Sequence, residues 1–245
     1  MKGSIRALTF RPKTKYMFSS SFFQQRPYAK AGLIAIPLII CMLVMGQHFP
    51  KGEVQGYKSK IIAFEFVKNE AEVRGVLDSL SAEELAGMDR GNYIDFAFML
   101  CYGSFISFFF LLAYRRLEAK WLQVGILLGL IVFFGDLLEN IQLLNISRAY
   151  TSDPEQMDIG AFISQLQLFT WIKWIGLGVA LAMAANVLRQ QGGIWQWIGW
   201  GFFIPFVLSI IAFVIQTPAW IERFTLSIFM GLGLLILLCF LVKRN

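Results

Sequence analysis

Apolar residues in this chain neither alternate with polar ones nor mark a single helical stripe. They continue for about 20 residues at a time before a polar or charged cluster interrupts them. Six such runs, at about 31–48, 93–114, 121–142, 166–188, 194–215 and 221–242, are long enough to cross a bilayer. The hydrocarbon layer is roughly 30 Å thick and a helix rises about 1.5 Å per residue. The runs lack the period-two alternation of barrel strands, and a helix satisfies its own backbone groups in lipid. The pattern therefore predicts an all-α fold, a polytopic membrane helical bundle of about six transmembrane helices.

The pattern changes between the first two runs. Residues 49–92 mix polar and apolar positions and are too few for an independent core, so they are expected to form a small α(β) cap on the outer mouth of the bundle. "KSKIIAFEFV" (58–67) is rich in β-branched and aromatic residues and reads as a strand or extended segment. Asn69 with Glu72, and Ser81 with Glu84, fit the capping-box spacing, so two helices are predicted to begin there. The second runs into the next span with a break expected at Gly91. As a working unit the cap is either a lid or a packed connector. The chain thus divides into an arm (1–30), a first span (31–48), the cap (49–92) and a five-helix region (93–245).

Composition agrees with a bilayer setting: 57% of residues are hydrophobic, with 24 Phe and 7 Trp, more apolar surface than a soluble domain of 245 residues can hide. Charge then orients the chain. Lys2, Arg6, Arg11, Lys13, Lys15, Arg26 and Lys30 make the first thirty residues +7, with no acid among them. With that arm in the cytoplasm, "RRLEAK" (115–120), Arg189, Lys243 and Arg244 fall on the same side, while 49–92 and 143–165 carry most of the acids. The positive-inside rule then gives both termini as cytoplasmic. The arm contains "YMFSSSFFQQRPY" and suits the anionic surface of a lipid bilayer; it is no evidence for nucleic acid. Its length, and "VMGQHF" at the far end of the first run, argue for a retained anchor over a cleaved signal peptide. The three tryptophans of "GGIWQWIGWGFF", Trp195, Trp197 and Trp200, are expected at the inner headgroup boundary.

Candidate chemistry lies inside the runs. Asp136 and Asn140 are four residues apart and share a helical face with Gly129 and Gly125, and Glu139 lies beside them. Small residues at that spacing let helices approach closely, so this face should look into the bundle. Lys173 sits on a similar row with Gly176, Ala180 and Ala184, at a comparable depth in the outer half. Asp95 and Tyr102 are two turns apart on one face of the second span. A charge in hydrocarbon costs at least about 2.5–3.5 kcal/mol, which a partner or a wet cavity relieves. Asp95, Tyr102, Asp136, Glu139, Asn140 and Lys173 are thus the candidate ligand-binding residues, with a pairing of Lys173 to Asp136 or Glu139. The competing view has Asp95 and Glu139 reaching headgroup water and Lys173 snorkelling. Cys41, Cys101, Cys239 and the one histidine, His48, have no metal-ligand spacing, so neither a metal nor a cofactor is implied.

The segments "AFEFVKNEAEVRGVL", "NYIDFAFMLCYGSF" and "GDLLENIQLL", spanning roughly 62–145, resemble a widespread group of small bacterial inner-membrane proteins. That group has an FE segment, a D-x-x-F-x-x-x-Y span and a D-x-x-E-N span. It has no assigned activity, so the resemblance implies membership and a bacterial inner-membrane location. Three functions follow as expectations. An outward-facing polar pocket could bind or transport a small amphiphile, lipid or cation. The chain could instead be an accessory subunit, held to a membrane-protein partner or to another copy of itself by its small-residue faces. Third, it could be a lipid-modifying enzyme working through a buried carboxylate; no catalytic residue is assigned, because no recognised nucleophile or cofactor motif is present.

Overall fold

The computed structural model describes residues 20–153 and 158–243. Lys2, Arg6, Arg11, Lys13 and Lys15 of the basic arm, and Arg244, lie outside the described residues. After a short helix α1 (Ser20–Gln25) come α2 (Ala29–His48), a hairpin of β1 (Lys51–Val54) and β2 (Tyr57–Ser59), α3 (Lys60–Glu65) and α4 (Glu70–Leu77). The rest is helical: α5 (Ala82–Leu117), α6 (Leu122–Ser152), α7 (Gly160–Arg189), α8 (Ile194–Gly201), α9 (Ile204–Ile215) and α10 (Pro218–Leu241). Taking α8 and α9 together, six spans among the described residues are long and apolar enough to cross a membrane. The chain is an all-α polytopic membrane protein. Its outer surface is apolar, with Leu43, Val124, Leu127, Phe134, Leu226 and Met230 each more than half exposed, the reverse of a water-soluble fold.

The spans form a ring. α2 packs on α5, α5 on α6, α6 on α7, α7 on α9 and α10, and α10 returns to α2. Small residues set the closest crossings. A Cβ built on Gly129 of α6 would lie 2.8 Å from the Gly103 carbonyl of α5, so neither helix could stand a side chain there. Gly135 likewise brings α6 close to the α7 backbone beside Lys173, where an added Cβ would lie 3.2 Å from the Lys173 nitrogen. This approach places the carboxylates of α6 against the one lysine of α7.

Three local expectations are corrected. The segment 58–67 is not a strand: β2 ends at Ser59, whose hydroxyl caps α3 by accepting from the Ile62 N–H. Ile62, Ala63 and Phe64 are buried, and this docking decides the conformation where the four apolar residues 61–64 suit helix and strand alike. The expected break at Gly91 is absent. The α5 helix starts from a complete capping box at Ser81 and Glu84 and runs on past Gly91, which leaves room for the Phe49 ring. The fifth span is in turn interrupted between α8 and α9, where Phe202 and Phe203 make tight bonds to Gly199 and Trp200. Pro205 has no N–H to continue the ladder and its ring enforces the new start.

The α5 and α6 helices overshoot the predicted runs on the cap side. Their extra turns carry polar pairs, Ser147 to Asp89 at 3.0 Å and Tyr150 to Asp78 at 2.6 Å, which brace the cap. At the opposite end Trp197 and Trp200 are exposed, and the Arg189 guanidinium lies 3.7 Å above the Trp200 ring.

Candidate ligand-binding site

The site is built around Lys173. On α6, Asp136, Glu139 and Asn140 occupy positions i, i+3 and i+4, one face, and all are buried. Across the Gly135 crossing, Lys173 Nζ lies 2.8 Å from Glu139 Oε1 and 3.1 Å from Asp136 Oδ1. The third acid comes from the cap: Glu65 Oε2 lies 3.3 Å from the same nitrogen. Glu65 is the last residue of α3, and the Thr170 hydroxyl takes up its carbonyl at 3.2 Å, while the Trp174 indole N–H donates to its carboxylate at 2.9 Å. The neighbouring Phe66 ring packs 5.2 Å from Trp171 and 6.2 Å from Phe224, fixing the end of α3 on α7 and α10.

The α5 helix closes the far wall. Tyr102 donates its hydroxyl to Asp136 Oδ2 at 2.5 Å. Asn140 Nδ2 donates to Asp95 Oδ2 at 2.7 Å and to the Asn92 carbonyl at 3.3 Å. At this site the buried Asn92 amide nitrogen and Glu139 Oε2 have no hydrogen-bond partner among the described residues. Asp136 Oδ1 is within ion-pair distance of Lys173 but outside hydrogen-bonding geometry. Burial pushes the Glu65 carboxyl above the ordinary range; Lys173 opposes that shift and Asp136 reinforces it.

Beside this network is a cavity of about 330 Å³, a size suited to a small organic molecule. Asp95, Tyr102, Asp136 and Lys173 line it, whereas Glu139 and Asn140 stand behind and hold Lys173 and Asp95 in position. Glu65, Asn92 and Trp174 also line it and were missed as site residues. For Glu65 a signal was present: an acid between Phe64 and Phe66 in an otherwise apolar stretch has no cheap environment except a partnered one. Asn92 sits three residues before Asp95 on the same face, and Trp174 follows Lys173 directly. Among the described residues no set of His, Cys, Asp and Glu side chains is arranged to hold a metal ion.

No family model matches the chain, and no curated protein or solved structure is detectably similar to it.

Proposed function

We propose that this is a bacterial inner-membrane protein, both termini cytoplasmic and the cap outside, whose intramembrane pocket binds a small cationic amphiphile. The location rests on the basic N-terminal arm, on the basic turns opposite the cap, and on the resemblance of residues 62–145 to bacterial inner-membrane proteins.

The observation that carries the ligand reading is charge balance. Glu65, Asp95, Asp136 and Glu139 are grouped around one ammonium, Lys173, among the described residues. Asp95 receives only a neutral Asn140 amide. A buried carboxylate without a cation is costly, so the site favours an added positive charge, whether a proton or a ligand. The walls favour an organic cation over a hydrated metal ion. Trp174, Phe98 and Phe49 line the cavity, and aromatic side chains attract alkylammonium groups, as Trp174 already does the Lys173 ammonium 4.9 Å from its ring centre. The Asn92 amide, buried and unpartnered at the cavity wall, offers a donor to a polar atom of the guest. Tyr102, Asp136 and Lys173 are engaged with one another, which supports a binding role over catalysis.

The test is equilibrium binding of radiolabelled dodecyltrimethylammonium to the full chain in lipid nanodiscs. Saturable one-to-one binding is expected, weakened about tenfold or more by Asp95→Asn and unchanged by Tyr150→Phe at the distant cap surface. Absence of saturable binding to the wild-type chain would overturn the reading.

A further inference from the structure

The cavity is covered on the cap side and reaches the outer surface of the bundle between α2 and α10. On the cap side Ile61, Ile62 and Glu65 of α3 cover it. That cover is fastened to α10: Glu222 accepts from the backbone N–H groups of Lys58 and Ser59, and Pro218 packs on Gly56. At the opposite end α2 and α10 meet tightly, with Arg26 Nε donating to the Phe240 carbonyl at 2.7 Å and the Phe240 ring seated on Gly32. Between these two closures the helices part. Met42 and Gly46 of α2 and Phe229 and Leu232 of α10 line the cavity, yet Met42 is 43% and Phe229 45% exposed on the outer surface of the bundle. The same side chains face the polar site and the surroundings. Gly46 lines the cavity from an exposed position, and a Cβ added there would meet nothing within 4 Å, so the rim at this point is open to the surroundings.

Resting on the cation-binding reading above, we infer that the pocket loads from the membrane through this window between α2 and α10. Its guest is then a single-chain amphiphile, the cationic head beside Glu65, Asp95 and Asp136 and the hydrocarbon chain lying in the window. The chemistry of the rim fits a chain and excludes a hydrated ion. The side chains of Met42, Phe229 and Leu232 are apolar and Gly46 has none, and methionine adapts its shape to an alkyl guest. A water-soluble cation would have to cross that apolar rim or lift α3 away together with the Glu65–Lys173 contact. A bilayer-dissolved amphiphile meets the window with its chain already in hydrocarbon.

The test compares dodecyltrimethylammonium with tetramethylammonium, which shares the head and lacks the chain, using the full chain in nanodiscs. The wild-type protein is expected to bind the long-chain cation at least about tenfold more tightly than the short one. Gly46→Phe, which fills open space away from the carboxylates, should slow association of the long-chain cation by about tenfold or more while leaving the unfolding temperature unchanged. Met42→Trp on the same rim provides a second plug. Equal affinity for the two cations, or long-chain association unaffected by both plugs, would overturn the lateral route while leaving the cation site standing. Failure of the wild-type chain to bind either cation would overturn both readings.

Discussion

Glu65 and Trp174 meet through one hydrogen bond of 2.9 Å, and the Glu65 oxygen that receives it is also the one facing Lys173. A short cap helix is thereby joined to a membrane span by a charged contact inside the bundle. Cap docking and the charge state of the pocket are consequently one problem.

Replacing Lys173 with Met should destabilise the protein by about 3–5 kcal/mol, because three buried carboxylates lose their shared cation. Combining Lys173→Met with Glu139→Gln should cost less than the two single losses together, since the double variant removes both ends of the 2.8 Å contact. Unfolding in mixed micelles measures the cycle, and strictly additive losses would contradict an energetic pair.

Cap docking should depend on pH through Glu65. Its carboxyl is raised above the ordinary value of 4.5, chiefly by burial, with Asp136 adding to that shift and Lys173 opposing it. Asp95 and Glu139 are the other charged groups that act on it. A folded-state value above the unfolded one gives a contribution complete below pH 4.5 and lost as pH rises through the folded value. Hydrogen exchange in residues 60–67, corrected for intrinsic rates, should show more frequent opening at high pH than at low. Glu65→Gln should flatten that dependence.

Tyr102→Phe should cost about 1–3 kcal/mol, the penalty for leaving the buried Asp136 oxygen without its donor. A silent substitution, measured by the same unfolding assay, would mean that water replaces the phenol there.

The crossing of α5 and α6 should be intolerant of bulk. Gly129→Val would press a side chain into the Gly103 carbonyl and is expected to lose about 1–3 kcal/mol or more. Gly233→Ala, on open α10 surface with nothing within 4 Å, should stay within about 0.5 kcal/mol. Thermal unfolding of the two variants checks the contrast.

Sidedness has its own test. A cysteine at position 70, in α4 of the cap, should react with a membrane-impermeant maleimide added outside intact cells. Labelling only after the cells are opened would invert the proposed topology.

The six spans were readable because bilayer thickness demands an uninterrupted apolar run of about 20 residues, which any window along the chain reveals. The start of α5 was readable for a similar reason, since Ser81 and Glu84 form their capping box from residues three apart. That Asp136 and Lys173 stand level with each other also follows from counting, at about 1.5 Å per residue. Glu65 lay beyond such counting. It sits outside every apolar run, and only the packing of Phe66 on Trp171 and Phe224 carries it to Lys173. The helical form of 60–65 likewise depends on burial against the bundle, because four apolar residues, 61–64, have no period long enough to distinguish helix from strand. The window between α2 and α10 belongs to neither helix alone. Helices at opposite ends of the chain create it by touching at Gly32 and Phe240 and parting at Gly46 and Phe229, a relationship that no local pattern encodes because it is set by how the ring closes.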